Sequence, residues 1–194
     1  MATIDINPFT RKPVQQEGRV IELAGTTGTG KTTFIKETIS KAPLPKYIFD
    51  IDGEYKMFKN YGKPINRSIG LMENIQLFKK QVAPLWESVI VFSEAGLLFA
   101  HGEANDLEMR ELFKSARRRG NLLLLDYHAL SEIPIETLRY TNYLVLKKNV
   151  MQTKSQLNKF AAYPEILNKL RKCAQSTDNF HTEVIIPREL DMQY

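Results

Sequence analysis

The chain has 194 residues and a mass of 22.3 kDa, room for one domain with a full core and little for a second. A hydrophobic share of 43% beside 25% charged residues excludes extensive disorder, and no stretch reaches the length of an apolar membrane-spanning helix. Residues 1–16 are polar and contain proline, without the apolar run of a secretory signal, so the expected location is the cytosol. The single cysteine, Cys173, cannot build a disulfide framework or a cysteine zinc site and reads as structural. A net charge of +5, from 27 Lys and Arg against 22 Asp and Glu, permits a polyanionic partner without requiring one.

In chain order, 19–24 is a β-prone run leading into a glycine-rich loop, and 32–40 has helical spacing with Phe34, Ile35 and Ile39 apolar. Residues 47–51 predict a second strand, 75–82 a helix, and 89–92 a buried strand with no polar alternation. A helix is expected over 107–119, stopped by Gly120, then an apolar strand over 122–125 and a helix start at Pro134. A strand over 143–146, a helix over 163–172 and a short β-prone stretch over 183–186 complete the chain. Strands alternating with helices, and apolar throughout, predict an α/β domain. Its sheet should be mainly parallel and covered on both faces. The expected organisation is one domain over 1–194, with a core at about 19–148 and a C-terminal extension at 149–194.

The strongest motif is Gly25-Thr26-Thr27-Gly28-Thr29-Gly30-Lys31-Thr32, a complete GxxxxGK[ST] pattern between a predicted strand and a predicted helix. In a P-loop of this kind the glycines let the backbone wrap a phosphate chain. N–H groups at the helix start, running on to Thr33, point at it; Lys31 adds charge on the outer phosphates and Thr32 offers a hydroxyl to Mg2+. The expected ligand is ATP. A P-loop enzyme also needs a carboxylate at the end of a neighbouring strand, and Val89-Ile90-Val91-Phe92-Ser93-Glu94 supplies one. Glu94 is the candidate catalytic base, the competing reading being a helix cap, and both Ser93 and Glu94 are candidates near the metal, Ser93 through a bound water.

Residues 49–55, Phe-Asp-Ile-Asp-Gly-Glu-Tyr, place three carboxylates and a turn glycine at the end of the second strand. The segment resembles the strand-end signature hhDxxGEY of the HerA and FtsK superfamily of DNA-pumping ATPases, matching at Asp50, Gly53, Glu54 and Tyr55. That superfamily carries an arginine near the end of the helix after the acidic strand, then an apolar strand closing on a polar sensor, then an Ile-Pro turn. Here Arg117, Arg118 and Arg119, the 122–125 strand, His128 and Ile133-Pro134 stand in that order. The resemblance implies that His128 senses the γ-phosphate in place of the usual glutamine, and that Arg117 is a finger acting on a neighbouring subunit. Arg118, Arg119 and Arg139 are rivals for the finger. A satisfied structural histidine and a basic helix end that touches DNA phosphates are the competing readings.

The resemblance spans about 19–148. A chain of this size without membrane helices is similar to the genome-packaging ATPases of tailless, internal-membrane-containing viruses. It implies a sheet ordered 5-1-4-3-2 and a homo-oligomeric ring, commonly a hexamer, with double-stranded DNA in its channel. It also implies docking on a capsid vertex or a membrane-associated portal protein, in the host cytoplasm or at the virion vertex. Residues 97–106, with His101, Gly102 and Glu103, are a channel-loop candidate or a plain surface loop. Two other functions compete: an ATPase of a protein assembly or secretion machine of the zonula-occludens-toxin-like kind, and a small-molecule kinase.

Overall fold

A computed structural model describes residues 18–99, 107–148, 158–187 and 190. Its centre is a six-stranded sheet built from β1 (Arg19–Ala24), β2 (Lys46–Phe49), β3 (Val89–Phe92), β4 (Leu122–Tyr127), β5 (Tyr143–Leu146) and β6 (Glu183–Ile185). The order is β2-β3-β4-β1-β5-β6. This is the expected 5-1-4-3-2 arrangement read from the other end, with a sixth strand added beside β5. The first five strands pair in parallel and β6 runs antiparallel.

The unbroken apolar strands follow from burial on both faces; β3 is buried at all four positions. One face packs α1 (Lys31–Lys41), through Ile35 and Ile39, on Ile21, Leu23, Val91 and Leu124. The other face carries α2 (Leu71–Val82), α3 (Leu107–Ala116) and α4 (Pro164–Gln175). They insert Ile75, Phe78, Leu112, Phe113, Ile166 and Leu170 among Val20, Ile90, Leu123 and Leu144. Proline in the first turn of α4 is where a missing N–H costs least. Cys173 is buried in this layer with its thiol on the Leu146 carbonyl, as its structural reading expects. The segment after residue 149 therefore supplies a helix and a strand to the central sheet.

Local differences from the sequence expectations have local causes. The second strand ends at Phe49 because Asp50 turns the chain, its carboxylate accepting the N–H groups of Glu54 and Tyr55 at 2.9 Å each. The third helix ends at Ala116, and Gly120 at φ 67° completes the turn after it. Pro134 starts a single 3₁₀ turn (Ile135–Thr137), after another over Leu130–Glu132, where a longer helix was expected. Beside the outer edge of β2, the Asn60 side chain accepts Ile48 N–H at 3.0 Å and donates to Ile48 C=O at 2.8 Å. Of the channel-loop candidate, residues 100–106, including His101, Gly102 and Glu103, lie outside the described residues. Among the described residues no helix is long and apolar enough to cross a membrane.

Candidate functional site

Parallel pairing in register brings the ends of four strands to one edge of the sheet. Ala24 lies level with Tyr127 on β4 and with Leu146 on β5, and Phe92 pairs with Leu125. The residues that follow, the 25–32 loop, His128, Lys147 and Glu94, therefore emerge together. Within the loop, Gly28 and Gly30 take φ of 80° and 81°, a region glycine enters without strain. A Cβ on Gly25 would lie 2.5 Å from that of Lys147. Gly30 begins α1 without a side-chain cap, so the first-turn N–H groups remain available to an anion.

The loop forms one wall of a cleft of about 350 Å³ lined by Thr26, Thr27, Gly28, Gly30, Lys31, Thr32 and Thr33. The other walls are Asp52 and Glu54 after β2, Glu94 after β3, Asp126 and His128 at the end of β4, and Phe180 from the C-terminal segment. Thr29 is nearly buried and its hydroxyl bonds Thr26 C=O at 2.8 Å, so it shapes the loop from behind. Lys31, 6% exposed, donates to Gly25 C=O at 2.6 Å and lies 3.7 Å from Asp126 Oδ1. Burial pushes the Asp126 carboxyl up to about 6, against the pull of Lys31. Asp126 Oδ1 accepts no hydrogen bond.

Glu94 has φ 60° and ψ 46°, a left-handed conformation that costs a non-glycine residue roughly 1–3 kcal/mol and concentrates at functional sites. Its Oε2 lies 2.5 Å from His128 Nε2. Glu132 Oε2 in turn accepts His128 N–H at 3.0 Å. Glu94 and His128 also border a second hollow of about 690 Å³ floored by Leu97, Phe99, Pro134 and Ile135. The Thr32 hydroxyl donates to Glu54 Oε2 at 2.7 Å. The Thr32 hydroxyl, the Glu54 carboxylate it meets and the buried Asp126 Oδ1 without a donor are hard oxygens of the kind magnesium takes, while among the described residues no group of three or more His, Cys, Asp or Glu is arranged to hold a metal ion.

Ser93 is a correction to the sequence expectation. Its hydroxyl donates to Phe49 C=O at 2.8 Å and accepts Ile51 N–H at 3.3 Å, tying the end of β2 to β3, and it does not line the cleft.

Solved structures share this fold. The genome packaging NTPase B204 of Sulfolobus turreted icosahedral virus 2, in complex with AMP, superposes with a TM-score of 0.69 at 15% identity, over 91% of this chain and 98% of that one. Its complex with ATPγS gives 0.67 at 15% identity, over 90% and 95%. The chain has the fold of B204. EssC (ATPases 2 and 3) from Geobacillus thermodenitrificans matches with a TM-score of 0.56 at 10% identity, over 95% of this chain and 43% of that one. No family model matches the sequence, and no curated protein matches it.

The expected arginines do not join the cleft within the chain. Arg117 and Arg118 are exposed at the end of α3, and Arg117 C=O accepts Gly18 N–H at 3.1 Å, just before β1 begins. That is the opposite edge of the sheet, about 20 Å from the loop for six residues of strand. Arg119 instead donates to Ala83 C=O and lies 5.6 Å over the Trp86 ring, closing the end of α2. Arg139 is exposed, with its guanidinium 4.7 Å over Tyr140. Asp126 and Phe180 are cleft residues that sequence reasoning left unassigned, whereas Asp52 belongs to the acidic turn it singled out. A charged residue closing the otherwise apolar Leu-Leu-Leu-Leu run was the available signal for Asp126; none pointed to Phe180.

Proposed function

We propose that the chain is an ATP-hydrolysing motor that moves double-stranded DNA, working as a ring of identical subunits and packaging a viral genome into a preformed capsid. The observation that carries this reading is Glu94, a carboxylate held in a left-handed turn at the end of β3 and facing the same cleft as the Lys31 loop. The shared fold with a genome packaging NTPase supports the choice of motor.

In this reading the loop N–H groups and Lys31 hold the outer phosphates. Thr32, with Glu54 on its hydroxyl, would hold Mg2+ through bound water, and the ion would supply charge neutralisation on the transferring phosphoryl group. Glu94 orients water in line with the γ-phosphate and takes its proton. His128, in contact with Glu94, is the residue through which the γ-phosphate is sensed. Arg117, on the far edge, serves a neighbour's cleft and never its own. The ring docks on a capsid vertex or a membrane-associated portal protein.

The test is ATP turnover with and without duplex DNA, for the wild type and Glu94→Gln, beside a mass measurement of the assembled species. Turnover stimulated by DNA in an oligomer, and a loss of about 10²–10⁴ in Glu94→Gln with ATP still bound, is the expected result. Turnover indifferent to DNA would reassign the motor to a protein assembly or secretion machine. Phosphoryl transfer that needs a small-molecule acceptor would make it a kinase.

A further inference from the structure

Phe180 is 65% exposed, an apolar ring left in solvent, yet it borders the cleft of the phosphate loop. Its Cδ1 lies 2.9 Å from the place a Cβ on Gly30 would take, so the ring rests against the last glycine of that loop. The turn that carries it is fixed by its own hydrogen bonds. Asp178 Oδ1 accepts Phe180 N–H at 2.8 Å, and Thr182 Oγ1 donates to Phe180 C=O at 3.0 Å.

Two lysines that follow β5 fasten the turn to the sheet. Lys147, 6% exposed, donates to Thr182 Oγ1 at 2.6 Å and to Phe180 C=O at 3.4 Å, and Lys148 donates to Asn179 Oδ1 at 3.1 Å. Lys148 is tied to the loop as well, its carbonyl accepting from both Thr26 N–H and Thr26 Oγ1. Phosphate loop and aromatic turn are thus mounted on one strand end. An exposed ring held this firmly beside an anion site has a ready use: it offers a flat apolar face whose ordering cost is already met before a ligand arrives.

We propose that Phe180 is the platform on which the base of the bound nucleotide stacks, giving the cleft a preference for nucleotides over inorganic polyphosphates and for purines over pyrimidines. The proposal rests on the nucleotide reading of the 25–32 loop. Stacking is the chemistry a phenyl ring brings, since it has no hydrogen-bonding group and every base has a π-face. The larger purine ring covers more of it. Adenine and guanine are not distinguished by this contact.

Calorimetric titration of the wild type, Phe180→Ala and Phe180→Trp with ATP, CTP and inorganic tripolyphosphate, in magnesium buffer, tests the proposal. Phe180→Ala should weaken ATP by roughly five- to hundred-fold, weaken CTP less, and leave tripolyphosphate unchanged, while Phe180→Trp keeps ATP affinity. Unchanged ATP affinity in Phe180→Ala overturns the proposal. So does an equal loss for ATP and tripolyphosphate, which would make Phe180 a prop for the loop. Lys31→Ala separates the underlying reading: tripolyphosphate affinity equal to wild type there removes the phosphate site itself, whatever Phe180 does.

Discussion

Glu22 is the charged residue in the middle of β1, 0% exposed, with its carboxylate receiving the hydroxyls of Thr137 and Thr141 at 2.8 Å each and Tyr127 at 3.3 Å. Burial pushes its carboxyl up from 4.5 to about 7, although the three hydroxyls and the positive charge of Lys159 pull the other way. A raised folded value for an acid means that the folded state holds the proton more tightly than the unfolded one. Between pH 4.5 and 7 the unfolded chain ionises first and stability falls, by about 1.4 kcal/mol for each unit and about 3 kcal/mol in all; below and above that window the contribution is flat. Glu22→Gln lacks this slope. Its stability relative to wild type should therefore rise by about 3 kcal/mol across the window, or about 6–12 °C in Tm for a chain of this size. Urea unfolding of both proteins at intervals from pH 5 to 8, followed by circular dichroism, reads the difference, and groups common to both proteins, such as Asp126, cancel. Parallel stability profiles would refute a Glu22 that is buried and hard to ionise.

Four further outcomes are expected. Lys31→Ala should abolish ATP turnover while circular dichroism stays native; near-normal turnover by the folded variant removes the central reading. Glu94→Gly should relieve the left-handed backbone and raise stability by about 1 kcal/mol in thermal melts while hydrolysis is lost, and a lower melting temperature would contradict the strain. Arg117→Ala should bind ATP and hydrolyse it about 10³–10⁵ more slowly, with activity partly regained when mixed with Glu94→Gln. Arg119→Ala should instead lose about 1–2 kcal/mol of stability at normal turnover. Basal turnover kept by Arg117→Ala together with a shallower salt dependence of DNA binding would move that arginine to the channel wall.

What could be read from the residues was what is local in the chain. The phosphate loop needs only eight consecutive residues and its flanks, and Glu94 only the end of an apolar strand, so both were legible. Asp126 was not, because its place beside Lys31 is set by the pairing of Leu23 with Asp126 across β1 and β4. The acidic turn was found but its members play different parts. Asp50 ties the turn, whereas Asp52 and Glu54 line the cleft. Three adjacent arginines look alike until burial separates Arg119, against Trp86, from the exposed Arg117 and Arg118. Lys147 and Lys148 hold a turn, and Lys169 donates to Val184 C=O at 2.6 Å, contacts that charge in the sequence does not announce. Glu22 depends on partners more than a hundred positions away, which no window of sequence contains.

The two margins of the sheet have a bearing on how copies of this chain can meet. Beyond β2 the Asn60 amide already occupies both backbone groups of Ile48, and Tyr61 N–H is bonded to Lys46 C=O. At the other margin β6 is only three residues long, and Lys169 takes the Val184 carbonyl. Margins filled in this way resist the addition of a foreign strand. In the ring proposed above, helices and loops are left to make the joints between copies, and such joints can slide or tilt by small steps without tearing a ladder of main-chain bonds. A machine that cycles through many identical strokes has use for joints of that kind.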